Sequence, residues 1–241
     1  MLRLQENFME KGLVFDSPAL DVYSQMAADE ILCGCNAAPY ILRFFNWASP
    51  GITYGYSQRR RQVEAAVRIA GSSIKDLVRR PTGGGIVFHD DDVTFSFIFP
   101  SPELLFEPHK TYERLHTAIN RKYRECGEDF TLMSGRTESY AVNSPAMACF
   151  SKPVTLDILY NDRKVLGGAL RKTGTKMLYQ GSFQFPGARK RQAFHRRIIA
   201  SALSEEFRLE WETVPFSEEM LEELRMLAVN KYRTEEWNSR I

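Results

Sequence analysis

The chain has 241 residues, 44% apolar and 26% charged, enough to bury a full hydrophobic core in one large domain. Its 32 Lys and Arg against 30 Asp and Glu leave a net charge of +2, which argues against nucleic acid as the main partner. No apolar run approaches the ~18 residues of a membrane span, and the opening MLRLQENFMEKGLVF holds no signal-peptide core, so the expected setting is the cytoplasm, with no membrane partner.

In chain order, SPALDVYSQMAADEILCG predicts a helix capped by Ser17, with Pro18 in the first turn and a stop near Gly34. YILRFFNW and GITYGYS are aromatic and β-branched and read as strands. Residues 76–80 and 85–90 read as short strands on either side of a glycine turn. In 93–99, Val93, Phe95, Phe97 and Phe99 alternate with Thr94, Ser96 and Ile98, a period-2 strand with a strongly apolar face. HKTYERLHTAINRKYRECG sets Tyr112, Leu115, Ile119, Tyr123 and Cys126 on one helical stripe, stopped by Gly127. Residues 154–185 read as a meander with turns at Asn161-Asp162 and near Gly174. KRQAFHRRIIASALSEEF and SEEMLEELRMLAVNKYRTEEW read as two final helices, the second with acids in its first turn. Hairpins outnumber βαβ units, so the fold class is α+β: a mixed, mainly antiparallel sheet flanked by helices.

The four cysteines, Cys33, Cys35, Cys126 and Cys149, form no CxxC pair, and the four histidines show no ligand spacing, so no metal is expected. Each cysteine is by default a small buried hydrophobe. The stretch RRPTGGGIVFHDDDVTFSFIFP, residues 79–100, spends three of the chain's 15 glycines in one turn beside two arginines. It is neither GxGxxG nor a P-loop, and it leads into a strand. Backbone amides without Cβ atoms can pack against a flat ligand or accept an anion. Arg79 and Arg80, adjacent on a strand, point to opposite faces, so at least one can serve a ligand.

R-R-P-T-G-G-G-x-V-F-H-D followed by T-F-S resembles the glycine-rich motif of the lipoate–protein ligase A family, which shares its fold with biotin protein ligases and octanoyltransferases. MAADE, LRFFNWASPGITYGYSQ, NDRKVLGGALRK, LYQGSF and NKYRTEEWN resemble further family segments in the right order. The resemblance implies the biotin/lipoate protein ligase catalytic-domain fold, one catalytic domain over 1–241 without a C-terminal accessory domain. It also implies delivery of an octanoyl or lipoyl group to a lysine of a lipoyl domain of a 2-oxoacid dehydrogenase or of the glycine-cleavage H protein. The glycine motif then contributes Arg79, Arg80, Thr82, Gly83, Gly84, Gly85, Val87 and His89 to the ligand site, His89 itself being read as a core-edge group bonded to Asp90 or a backbone carbonyl. The G-x-x-Q loop contributes Gln58, the strand after Cys149 contributes Asp157, and the G-[KR]-K segment contributes Lys164, Gly167, Gly168 and Ala169.

Two mechanisms occur in the family. Ligases activate lipoate with ATP and Mg; transferases need no cofactor and take the acyl group from a carrier thioester, with acyl carrier protein a possible donor, onto a cysteine. Cys149, fifteen residues before Lys164, the absent accessory domain and HDDDVTFS favour the transferase, with Cys149 and Lys164 as its catalytic pair. An ammonium near the thiol favours the thiolate and can stabilise an oxyanion. The ATP-dependent ligase, a biotin ligase and a non-catalytic lipoate-binding relative are the alternatives. The chain departs from the family pattern at Gly168, where serine is usual, and at Leu170 and Gln180, where glutamine and histidine are. The run Arg59-Arg60-Arg61 reads as a solvated patch or a contact for phosphate or an acidic domain, and Arg163 as solvated.

Overall fold

The computed structural model describes residues 9–101, 107–135 and 153–240; Cys149 lies outside the described residues. Three core-forming stretches set the frame. β8 (Val93–Pro100) runs up the middle of an eight-stranded sheet, between β3 (Tyr40–Phe44) and β12 (Lys176–Phe183). Because it is central, both its faces are buried: Phe95, Phe97 and Phe99 enter one core cluster and Ile98 the other. The face opposite the phenylalanines carries Ile98 with the polar Thr94 and Ser96, and it is buried too.

From β12 the meander continues antiparallel through β11 (Arg163–Thr173), β10 (Ile158–Tyr160) and β9 (Thr131–Leu132). Asn161 and Asp162 both take positive φ, 48° and 59°, as a tight hairpin requires, and Gly174 makes the second turn at φ 58°. On the other side β1 (Glu10–Asp16) lies parallel to both β3 and β13 (Leu209–Pro215), which makes the sheet mixed. A two-stranded ladder of β2 (Ala19–Leu20) and β4 (Asn46–Trp47), and a small sheet of β6 (Leu77–Arg79), β5 (Gly51–Tyr54) and β7 (Val87–His89), flank it.

Helix α1 (Val22–Gly34) and α5 (Glu218–Leu227) bury their apolar faces on one side of the large sheet; α3 (Pro108–Glu125) and α4 (Gln192–Phe207) cover the other. α2 (Arg60–Ile69) packs Val63 against the small sheet. The last predicted helix is broken: after α5 a π-helical turn (Ala228–Tyr232) buries Tyr232, and Thr234 recaps a short α6 (Glu235–Asn238).

Two local expectations are corrected. The N-cap of α1 is Asp21, whose carboxylate accepts from Ser24 N at 2.8 Å, not Ser17. Ser17 lies just ahead of the β2–β4 ladder, its carbonyl held by the Asn46 side-chain amide and its hydroxyl accepting from Arg43 at 3.3 Å, and the helix starts after the ladder. Cys126 is exposed, because α3 ends there and the apolar stripe stops at Tyr123.

Candidate active site

The glycine turn joins β6 to β7 over the C-terminal part of the chain. Arg79 and Arg80 part as strand neighbours must. Arg79 is wholly buried and turns toward the C-terminal segment, donating from Nε to Trp237 O at 3.1 Å and from Nη2 to Asn238 O at 2.9 Å. Arg80 turns the other way, donating to Thr53 Oγ1 at 3.3 Å and to Gly83 O at 2.5 Å. Gly84 sits at φ +86°, a left-handed conformation that favours glycine. A Cβ on Gly55 would stand 1.9 Å from Gly84 O, so the turn and the loop Gly55–Gln58 lie against each other. Gln58 braces that loop, accepting from Gly55 N at 2.9 Å.

Arg80 opens onto a pocket whose apolar wall is Met26, Phe45, Val87 and Ala169, with Gly167 and Gly168 beside them. Its polar wall includes His89, Gln180 and Ser182, and its open volume is about 30 Å³, the space of roughly one water. Gln180 holds both ends of a buried network: Nε2 donates to Asp29 Oδ2 at 2.7 Å and Oε1 accepts from Thr82 Oγ1 at 2.6 Å. Asp29 also takes Arg43 at 2.6 Å and Ser96 at 2.7 Å, all fully buried. Thr82, at the head of the glycine turn, is thereby tied to α1 and to the centre of the sheet.

His89 stacks on Trp47 at 4.4 Å, donates from Nδ1 to Asp92 at 2.8 Å and meets Thr53 Oγ1 with Nε2 at 3.0 Å. Its acidic partner is therefore Asp92 and not Asp90, which is exposed; Asp92 is buried at the start of β8 and faces back into the site. Burial works against the charge on Asp92, yet His89 and the hydrogen bonds from His89, Thr94 and Ser182 outweigh it and hold the carboxyl below the ordinary carboxylate range.

Lys164 lies behind Gly167. A Cβ on Gly167 would stand 2.1 Å from Lys164 Cε and 2.4 Å from Nζ, so the lysine stem crosses its own strand where only glycine leaves room. A bulge makes this possible. The β10–β11 register shifts between Ile158 and Leu159, and Val165 and Leu166 both enter the same core; the extra residue swings Lys164 onto the side of Gly167. Lys164 is 8% exposed and pairs with Asp157 at 2.8 Å; Asp157 is fully buried. Arg163, its neighbour, is exposed as expected.

Of the predicted site residues, the structure gathers Arg80, Val87, His89, Gly167, Gly168 and Ala169 around the pocket, with Lys164 and Asp157 directly behind. Thr82 is one hydrogen bond away through Gln180, whereas Arg79, Gln58, Gly83, Gly84 and Gly85 do not line it. Sequence reasoning missed Asp29, Arg43, Thr53 and Tyr112. Their one available signal was charge or a hydroxyl inside otherwise apolar helix and strand patterns.

The site thus joins a glycine turn, a small pocket with an apolar wall and a buried lysine–carboxylate pair on one mixed sheet. Residues 21–204 match the lipoyl protein ligase A/B catalytic domain, and the chain belongs to that family. It is similar to the octanoyltransferase LipM of Moorella thermoacetica, 34% identical over 72% of this chain and 64% of that protein, so the match spans just under two thirds of that relative's length. It is also similar to the LipM octanoyltransferases of Halalkalibacterium halodurans, 27% identical over 96% of this chain and 100% of that protein, and of Bacillus subtilis, 26% identical over 92% and 94%. Among solved structures, protein Ta0514 of T. acidophilum with bound lipoic acid superposes with a TM-score of 0.73 at 22% identity, covering 96% of this chain and 100% of that one. Lipoate-protein ligase A bound with ATP gives 0.72 at 23%, covering 96% and 99%; these two likenesses carry the fold.

Proposed function

We propose that the protein is an octanoyl or lipoyl transferase that takes the acyl group from a carrier thioester onto Cys149 and passes it to a lysine of a lipoyl domain or H protein. The observation that carries this reading is the buried Lys164–Asp157 pair set against the pocket wall at Gly167. An ammonium held out of water is a strong electrostatic partner for a thiolate and for an oxyanion. Val154 N donates to Asp157 Oδ2 at 2.7 Å, and Pro153 borders the same cleft as Lys164. Cys149 precedes Val154 by five residues, at most about 18 Å of extended chain, and the reading requires its thiol to come up to that pair.

In the first step the Cys149 thiol gives up its proton, the thiolate attacks the thioester carbonyl, Lys164 stabilises the tetrahedral oxyanion, the bond from the carbonyl to the carrier sulfur breaks, and the carrier thiolate takes up the proton that Cys149 released. In the second the target lysine amine attacks the Cys149 thioester, an amide forms, and the Cys149 thiol is released. The acyl chain would lie along Met26, Phe45, Val87 and Ala169. Since the open volume is about 30 Å³, lining side chains must part to admit it, and Met26 has the most rotatable bonds on the apolar wall. Neither step needs a nucleotide; ATP and Mg would be required only by the ligase reading.

The test is lipoyl-domain acylation run in parallel with octanoyl-carrier thioester and with octanoate plus ATP and Mg. Product in the first and none in the second is expected; the reverse would make the protein a ligase, and product in neither a binding-only relative.

A further inference from the structure

We propose that Tyr112, on α3, is a positioning residue for Lys164, acting through Asp157; this rests on the reading that Lys164 serves acyl transfer. β11 runs from Arg163 to Thr173, but its neighbour β10 covers only the part opposite Ile158–Tyr160. Past Leu166 the outer edge of β11 loses its strand partner, and an amide there needs another acceptor. Tyr112 supplies it: Gly168 N donates to Tyr112 Oη at 3.0 Å. The same hydroxyl donates to Asp157 Oδ1 at 2.5 Å. The other oxygen of Asp157 accepts from Lys164 at 2.8 Å and from Val154 N at 2.7 Å.

One hydroxyl therefore fixes two things at once. It pins the Gly167–Gly168 backbone that Lys164 crosses, and it fixes the rotation of the carboxylate that Lys164 meets. The ring is itself immobilised, stacked on His116 at 3.8 Å between centroids, and His116 is anchored to Tyr179 Oη at 2.7 Å. Burial, and then the charge of Asp157, push the phenol well above its ordinary value, so the hydroxyl keeps its proton and remains a donor. Tyr112 meets the pocket wall at the Gly168 amide and is joined to Lys164 through Asp157, so its effect on the lysine is read through that carboxylate.

The experiment is a double-mutant cycle of Tyr112→Phe and Lys164→Met, read as the single-turnover rate of octanoyl transfer from carrier thioester to a lipoyl domain, with the KM for the thioester measured alongside. Phenylalanine keeps the ring against His116, so the fold is expected to survive, and circular dichroism checks that it does. We expect Tyr112→Phe to lower the rate about 10-fold, the scale of one hydrogen bond to a charged group, with KM little changed. In the Lys164→Met background the same substitution is expected to cost nothing further. A wild-type rate in Tyr112→Phe beside a slow Lys164→Met, or losses that simply add, would overturn the positioning role. A wild-type rate in Lys164→Met would instead overturn the transfer reading on which it rests.

Discussion

Lys164 shows how a side chain is made functional by what is absent around it. Its stem fits only because Gly167 has no Cβ, and its ammonium stays buried only because Asp157 meets it. Replacement by methionine keeps most of the stem and removes the charge. Acyl transfer is expected to fall at least ~100-fold, the effect of losing one oxyanion donor, and an assay within a few-fold of wild type would return Lys164 to a structural role. The next residue but three explains a departure from the family pattern. A Cβ on Gly168 would stand 2.3 Å from Tyr179 Oη, so the space that a serine would take is filled by the Tyr179 ring. Gly168→Ser is therefore expected to destabilise by about 1–3 kcal/mol through overpacking, and Tyr179→Ala in the same chain to be less damaging than the two losses summed; chemical denaturation measures both. Lys164 and the glycines were legible through the resemblance of NDRKVLGGALRK and RRPTGGG to family segments, since spacing alone fits a solvated lysine and a plain hairpin as well. Asp29 and Arg43 were not, since a charge inside an apolar helix or strand reads as a surface position until a partner from another element is seen, here at 2.6 Å.

At the scale of elements, α3 and α4, on the sheet face opposite α1, carry histidines that cannot charge cheaply. His116 on α3 is lowered to about 3, by burial and then by Lys164; His195 on α4 is lowered to about 4, by burial and then by Arg191. Unfolded histidine titrates near 6.5. Between that value and the folded one the unfolded chain binds more protons, so this contribution is complete above about pH 6.5 and is lost as pH falls, down to about 4 for His195 and about 3 for His116. The melting temperature is expected to drop over that window. His195→Asn, which does not titrate and sets its amide where Nδ1 stands, 2.9 Å from Tyr123 Oη, is expected to flatten the drop; an unchanged slope would contradict it. Most elements were visible from periodicity. α2 was not, because Arg59-Arg60-Arg61 dominates its start and it fully buries only Val63. β1 and β13 were missed because they pair with each other and β3 at the sheet's far side, where short apolar runs carry little alternation.

The whole molecule is arranged so that one network reaches from the glycine turn to the core. Thr82, Gln180, Asp29 and Arg43 join the small sheet, β12, α1 and β3, and Arg79 ties the same turn to Trp237 and Asn238 near the end of the chain. The fold class and its antiparallel meander were legible because hairpin turns announce themselves locally. The parallel pairing of β13, β1 and β3 and the clamp on Arg79 depend on segments distant in sequence, as residues 79 and 238 are. The central claim is that the acyl group travels on Cys149, and intact-protein mass after incubation with octanoyl-carrier thioester tests it most directly. The wild type is expected to gain one octanoyl group, labile to hydroxylamine, while Cys149→Ala gains none, acylates no lipoyl domain and stays folded. A wild type without adduct, together with an alanine variant fully active on octanoate and ATP, would contradict it.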